Sequence, residues 1–540
     1  MLQRCLLLLM IVSMLWFSSC GEEDENSASP PQTEDILSAT PPMGWNSWNK
    51  FHCDIDEALI RQTADAMVET GLRDAGYVYL NVDDCWQVSR DEKGRIVADP
   101  ERFPSGIPAL AEYVHSKGLK FGLYTDVGPM TCQDKPGSYN YEEIDAQTYA
   151  EWKVDYVKVD WCHNEGLDPR ERYRIFRDAL NKAGRPIVFS ICNWGVDMPW
   201  IWGPTTGQLW RTTGDIGAIF ASVLLNFTQT EKLAAYASAG HWNDPDMLEI
   251  GNGEMTEAEN RSHMSLWSIL SAPLIAGNDL RAMSAFTKET LTNPEVIAVN
   301  QDRMGLQGVR VSGKVNEGVW AKPLSEEGLR AVVLFNGRNG RRTLSVQWSQ
   351  LGLQPGVAQV RDLWARKDLG QKTDGFELSL EPHDAAMITV QGQEPTPEMT
   401  WVSALPFKFE ANSRGPVERD QSVGGENAGD GQTLSIAGKS YEKGLGVGAG
   451  SIVMLHLGGQ ARRFISDIGV DDSAGTGGSV TFQVIADHKI LFESPLMKGG
   501  DTAQSVDLDI SGKRWLKLVV TPGDDNPDKD FANWAGARLE

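Results

Sequence analysis

The 540-residue chain is 41% hydrophobic and 23% charged, enough apolar material for about two to four cored domains and too much for a disordered protein. Its 50 Lys and Arg face 74 Asp and Glu, a formal net charge of −24. That balance, with an isoelectric point near 4.8, excludes a nucleic-acid surface and calls for no cationic partner.

The chain opens on MLQRCLLLLMIVSMLWFSSC (residues 1–20): one early Arg4, an apolar run too short to cross a bilayer, and small residues before Cys20. This is the build of a secretory signal. The FSSC ending resembles the lipobox of bacterial lipoproteins, with Phe17 where Leu is usual, which implies lipidation of Cys20 and attachment to a membrane through an N-terminal lipid. The acidic GEEDE and the polar residues to 38 read as a flexible tether. Acidic residues directly after the Cys resemble the surface-export signal of Bacteroidetes lipoproteins. The expected location is the bacterial outer membrane or cell surface, with the periplasm as the alternative.

From 39 to 302, eight short apolar or aromatic runs alternate with helix-like stretches of about fifteen to thirty residues. The runs are MGWNSW (43–48), YVYLNVDDCW (77–86), KFGLYTDVG (120–128), DYVKVDWC (155–162), IVFSICNWG (187–195), QLWRTTGDI (208–216), GHWNDPDML (240–248) and APLIAGNDL (272–280). Between them, DEALIRQTADAMVETGL and IPALAEYVHSKGL place apolar residues three and four apart, as amphipathic helices do. Eight such units predict a (β/α)8 barrel, whose active site gathers at the C-terminal ends of its strands. Those ends carry Trp48, Asp83, Asp84, Asp126, Asp160, Asn193, Arg211, Asp215, Asp244, Asp246 and Asn278. In DYVKVDWC, two-residue alternation sends Lys158 and Asp160 to the inner face and Val157 and Val159 to the helices. Cys53 and Cys85 follow the first two strands and Cys132 and Cys162 the next two; since consecutive barrel strands are neighbours, the pairs 53–85 and 132–162 are favoured among three possible pairings. Cys192 then remains a free core thiol.

Carboxylates beside Trp48, Trp86, Trp161 and Trp194 suit a sugar: aromatic faces stack on a pyranose, Asp, Lys and Arg bond its hydroxyls, and two carboxylates can split a glycosidic bond. No His-x-x-x-His, Cys-x-x-Cys or Walker spacing occurs, and His241 stands alone, so neither metal nor cofactor is called for.

PPMGWNSWNKF, YLNVDDCWQ, SKGLKFGLYTDVGPMTCQDKPGS, VDYVKVDWC and HWNDPDMLEIGNG resemble, in order, the signature segments of glycoside hydrolase family 27, the α-galactosidase and α-N-acetylgalactosaminidase family. The resemblance implies retention of configuration, Asp160 as nucleophile, Asp215 as acid/base, and carboxylates roughly 5 to 5.5 Å apart. It also implies sugar contacts from Trp48, Asp83, Asp84, Tyr124, Lys158, Cys162, Asn193 and Arg211, with Asp83 and Asp84 on the galactose 4- and 6-hydroxyls and Trp48 as stacking platform. At CNWG the chain departs from the common CEWG, so Asn193 is expected to read the sugar's 2-position.

Residues 303–390 show short alternating strands with Gly-rich turns, an antiparallel β-sandwich. A polar Pro-bearing linker, QGQEPTPEMT (391–400), leads to 401–540, which resembles the NPCBM carbohydrate-binding module, a second β-sandwich. That module could hold glycan or only pack on the enzyme. The expected function is a retaining exo-glycosidase that releases terminal α-linked galactose from an oligosaccharide or glycan. An α-N-acetylgalactosaminidase, a β-L-arabinopyranosidase and a non-catalytic glycan-binding lipoprotein are the alternatives.

Overall fold

The computed structural model describes residues 36–523 and 527–540. The expected secretory segment, Cys20 and the expected tether as far as Asp35 lie outside them.

All eight apolar runs form strands: β1 Met43–Asn46, β2 Tyr79–Asn81, β3 Lys120–Asp126, β4 Tyr156–Asp160, β5 Val188–Cys192, β6 Leu209–Arg211, β7 Trp242–Asp244 and β8 Leu274–Ala276. They run parallel in the order β8-β1-β2-β3-β4-β5-β6-β7. Leu248, just past β7, closes the ring: its N–H donates to the Ile275 carbonyl at 2.8 Å and its own carbonyl accepts from Gly277 N–H at 3.0 Å. The result is a complete (β/α)8 barrel.

The helix Pro169–Ala183 shows how sequence sets the outer layer. Asp168 accepts from Arg170 N–H as cap, Pro169 takes the first position, and Gly184 ends the helix at φ 74°. Tyr173, Phe176 and Leu180 form its buried stripe, and Tyr173 Oη donates to the Val159 carbonyl at 3.0 Å. Between β5 and β6 the expected long helix is absent and Pro199–Trp202 makes a single turn. There the chain crosses directly on β6: a Cβ at Gly203 would stand 2.6 Å from the Trp210 ring.

The N-terminal end of the barrel is sealed by an apolar floor of Tyr79, Tyr156, Val188, Leu209 and Trp242, with Leu37 packed on it. Trp242 Nε1 donates to the Ser38 carbonyl at 2.9 Å, so the first described residues run beneath this floor.

The second domain pairs a six-stranded antiparallel sheet with a two-stranded one, Arg342–Gln347 on Gly375–Leu380. Its Trp320 ring packs 5.0 Å from that of Phe227 in the barrel helix Phe220–Thr230, and Trp320 Nε1 donates to Glu231 at 2.9 Å. The linker is pinned rather than loose: Glu394 is buried and pairs with Arg330 at 2.8 Å and with Lys408.

The third domain is two facing antiparallel sheets around Trp534, Phe464, Phe482 and Leu518. One sheet docks on the barrel, where Phe409, Ile452, Met454 and Trp515 share an apolar cluster with Ala234, Ala235, Met304 and Leu306. Residues 234 and 235 shortly precede β7, so this contact lies toward the floor end. At its edge Gly450, φ 76°, meets Tyr236 so closely that a Cβ would stand 2.5 Å from the ring. Gly450→Ala should therefore loosen the docking by about 1–3 kcal/mol, read as a lower first unfolding transition and faster proteolysis in 391–400. An unchanged melt would mean that the module's place does not depend on this contact.

Candidate active site

Alternation along β4 buries Val157 and Val159 in the helix layer and turns Lys158 and Asp160 to the barrel interior. Register then sets Asp126, Asp160 and Cys192 side by side on β3, β4 and β5, with Tyr124, Lys158 and Ser190 one layer below. Opposite them, Arg211 ends β6 beside Asp244 of β7.

These strand ends surround a cavity of about 270 Å³, walled by Trp48, Asp83, Asp84, Tyr124, Lys158, Asp160, Arg211 and Asp215. Ligand pockets usually run from about 300 to 1,000 Å³, so this one suits a single sugar ring. Asn49, His52, Trp194, Asp246, Met247 and Glu249 also line it; sequence marks Trp194 as a stacking aromatic and Asp246 as a strand-end carboxylate, but not the other four. Trp194 carried a signal, an aromatic at a strand end; Met247 and Glu249 lie past the end of β7, where no periodicity applies.

The Asp160 carboxyl is fixed from two sides: Oδ1 accepts from Trp161 N–H at 3.0 Å and Oδ2 from Tyr124 Oη at 3.1 Å. Burial pushes its pKa up, and Lys158 pulls against that rise. Lys158 Nζ donates to Asp83 Oδ2 at 2.9 Å, an oxygen that also accepts from Asn46 at 2.7 Å. Asp84 accepts from Cys85 N–H, Thr131 Oγ1 and Gln133 N–H, yet burial still lifts it to about 6. Beside Asp160, Asp126 has a carboxyl oxygen within 4.8 Å of one on Asp160, and burial, reinforced by Asp160, raises it to about 8. Cys132 and Cys162 stand in the same group but share a disulfide, so their sulfurs are not thiolate ligands for a metal.

Arg211 organises the other wall. It is 2.9 Å from Asp246 and 3.0 Å from Asp215, and its Nε is buried without a partner among the described residues, turned to no protein acceptor. Burial raises the Asp215 carboxyl, but Arg211 and then Lys158 outweigh that effect and hold it below its ordinary value. Its side chain remains 71% exposed in the empty pocket.

Two expected contacts are corrected. Cys162 lies outside the cavity lining; its sulfur is bonded to Cys132 and its N–H donates to Asp126 at 2.8 Å. Asn193 is fully buried and its amide donates to the Val196 carbonyl at 2.6 Å, closing the turn instead of facing sugar. The following residue, Trp194, has φ 56°, and this left-handed step brings Trp194 to the cavity in its place. Asn278 is likewise buried, its carbonyl accepting from Trp45 Nε1 at 2.8 Å. Both expected disulfides, 53–85 and 132–162, form, and Cys192 is free and buried.

A monosaccharide-sized pocket with opposed carboxylates at the mouth of a (β/α)8 barrel is the site of a glycoside hydrolase. Residues 40–302 match the family described as Alpha galactosidase A, 317–390 its C-terminal beta sandwich domain, and 398–540 the NPCBM/NEW2 domain. Alpha-galactosidase 3 of Arabidopsis thaliana is 48% identical over 368 residues, 67% of this chain and 84% of that protein. The alpha-galactosidase of Oryza sativa is 49% identical over 360 residues, 66% and 86% of the two chains. Among solved structures, alpha-galactosidase I from Mortierella vinacea superposes with a TM-score of 0.65 at 36% identity, covering 67% of this chain and 99% of its own. The Saccharomyces cerevisiae enzyme with raffinose gives 0.64 at 29%, covering 68% and 100%. The chain belongs to the family-27 α-galactosidases.

With Asn193 closing a turn, Asn193→Ala should cost about 1–2 kcal/mol of stability, read as a lower urea midpoint. The ratio of kcat/KM on an aryl α-galactoside to that on the α-N-acetylgalactosaminide should stay within about twofold. A large change in that ratio would put Asn193 back at the sugar.

Proposed function

We propose that the chain is a retaining exo-α-galactosidase in which Asp160 is the nucleophile and Asp215 the acid/base. The observation that carries the reading is the pair itself: two carboxylates on one single-sugar cavity, one braced by Tyr124, Trp161 N–H and Lys158, the other held by Arg211. An Asp160 oxygen attacks the anomeric carbon as the glycosidic bond breaks, and the leaving oxygen takes the proton of Asp215. This leaves a galactosyl ester on Asp160. Asp215, now a carboxylate, removes a proton from water, whose oxygen attacks the same carbon and frees Asp160. Asp83, Asp84, Lys158 and Arg211 supply polar contacts for the ring hydroxyls, and Trp48 and Trp194 its apolar walls.

Galactose is favoured over arabinopyranose because Asp83 and Asp84 both line the cavity, and Asp84 offers a partner to the 6-hydroxyl that arabinopyranose lacks. The β-L-arabinopyranosidase of Geobacillus stearothermophilus is more distant from this chain, at 28% identity and a TM-score of 0.61.

Asp160→Ala should abolish galactosyl-enzyme formation, whereas Asp215→Ala should still react slowly with aryl galactosides whose leaving group needs no proton. Proton NMR should show the α-anomer first; an initial β-anomer would overturn retention. The pH profile follows from the lowered Asp215 carboxyl. Its protonated fraction falls as pH rises, so kcat/KM should decline on the alkaline side of an acidic optimum. Bound sugar displaces water from Asp215 and raises its pKa, so kcat should hold to higher pH than kcat/KM. The reverse order would remove Asp215 from the acid role.

Residues 1–20 support a further proposal, an exported lipoprotein anchored at Cys20 on the outer membrane or cell surface. Cys20→Ser should abolish labelling by a fatty-acid analogue and leave the precursor unprocessed or the protein released. Equal labelling of the variant would rule out Cys20 as the attachment point.

A further inference from the structure

The strand Val309–Lys314 is an edge of the second domain's six-stranded sheet, and Phe409–Asn412 is an edge of the sheet by which the third domain docks. Both wall a cavity of about 460 Å³ at the seam of the two domains. Beside it the two backbones meet: a Cβ at Gly352 would stand 2.5 Å from the Phe407 carbonyl oxygen, so the recess is a gap between fixed surfaces. An edge strand keeps a row of backbone N–H and C=O groups without a strand partner, which suits a ligand rich in hydroxyls.

Five cationic side chains line this recess, Arg310, Lys322, Arg330, Lys408 and Arg419, against one carboxylate, Glu410. Arg310 is offset by Glu231 at 3.3 Å. Arg330 and Lys408 share Glu394, so these three buried groups carry one positive charge in excess. Lys322 is 2% accessible and bonds neutral oxygens, Ser271 Oγ and the Ser268 carbonyl. Burial pulls its pKa down to about 7, and Asp302 opposes that only in part. Arg419 gives Nη1 to the Ser403 and Leu405 carbonyls at 2.6 and 2.8 Å, and its guanidinium carbon lies 3.7 Å from the Phe407 ring centroid. Neither Lys322 nor Arg419 has an ion-pair partner among the described residues.

Uncompensated buried charge is costly, and an anion in the recess is paired there without breaking an existing bridge. A guanidinium fork matches a planar carboxylate. An inorganic ion leaves most of the volume empty, since the catalytic cavity, which suits one sugar ring, is only about 270 Å³.

We propose that the seam recess is a second, non-catalytic site for a pyranose that bears a carboxylate, with the carboxylate on Arg419 and the ring hydroxyls on the edge-strand backbones. The choice of a sugar acid among organic anions rests on the glycosidase reading above. The recess shares no lining residue with the catalytic cavity.

The test titrates the full chain by calorimetry with methyl β-D-glucuronide, methyl β-D-glucoside and inorganic sulfate, with and without saturating galactose. The glucuronide should bind at millimolar concentration or below, equally in both conditions, and at least about tenfold more tightly than the glucoside or sulfate. Arg419→Ala should weaken it at least about tenfold and leave kcat/KM on an aryl α-galactoside within about twofold. Should that variant fail to fold, Lys322→Met, an apolar chain of similar length at a buried position, carries the same expectation. No glucuronide binding, binding no tighter than that of sulfate or the glucoside, binding that galactose blocks, or binding unchanged by the substitution would each overturn the proposal. Hydrolysis assayed on the same protein tests the glycosidase reading by itself, so its failure is told apart from failure of the recess.

Discussion

Two cations, the buried Arg211 and the half-buried Lys158, hold the catalytic mouth together. Asp83, Asp84, Asp126, Asp160, Asp244 and Asp246 are all buried there, with Asp215 at the edge, and only Lys158 and Arg211 oppose them at the cavity wall. Burial, with like charges adding to it, pushes carboxyl pKa values upward in so confined a space, and Asp126 reaches about 8 and Asp84 and Asp244 about 6. Lys158 and Arg211 oppose that rise, in part at Asp160 and fully at Asp215. Lys158 acts on Asp160 through space while bonded to Asp83, and Arg211 bonds Asp215 directly. Asp160 and Asp215, the proposed nucleophile and acid/base, both feel Lys158, and Asp215 is also bonded by Arg211, while burial raises Asp126 beside Asp160.

Backbone conformation at the strand ends serves the same arrangement. Cys85, Trp194 and Asp246 have φ of 78°, 56° and 82°, values that L-residues adopt only where surroundings enforce them. Each has such an enforcement. Cys85 is tied to Cys53, Trp194 follows the Asn193–Val196 turn, and Asp246 receives Ile216 N–H at 2.8 Å while it pairs with Arg211. Strain is thus placed at strand ends, and at Trp194 and Asp246 it falls on side chains that line the cavity.

Alternation within the strands, and its end beyond them, also explains what was legible in the sequence. The eight strands could be read because parallel barrel strands are buried on both faces and appear as short apolar runs, and Lys158 and Asp160 because alternation still holds inside β4. Both disulfides followed from strand adjacency. Asn193 and Cys162 were misplaced because both lie beyond a strand end, where alternation stops and one left-handed residue exchanges the inward position for its neighbour's. The missing helix between β5 and β6, the pinned Glu394 and the docking of the third domain depend on contacts between residues distant in the chain, such as Gly203 on Trp210 or Gly450 on Tyr236, and no local pattern encodes them.

The added domains leave the mouth free because each takes a different surface of the barrel. The second domain covers the helix side through Trp320 and Phe227, and the third docks through an apolar cluster toward the floor end. The first described residues also pass under the floor, where Ser38 meets Trp242. An exo-acting site needs only one sugar ring seated and the rest of the glycan outside, so an unobstructed mouth matters more here than a long cleft. With the floor sealed by Tyr79, Tyr156 and Trp242, the ring can enter from one direction only, into a cavity whose lining includes Asp160, Trp48 and Trp194. Depth of entry, fixed by the floor and by the register of β3, β4 and β5, is then what limits cleavage to a terminal residue.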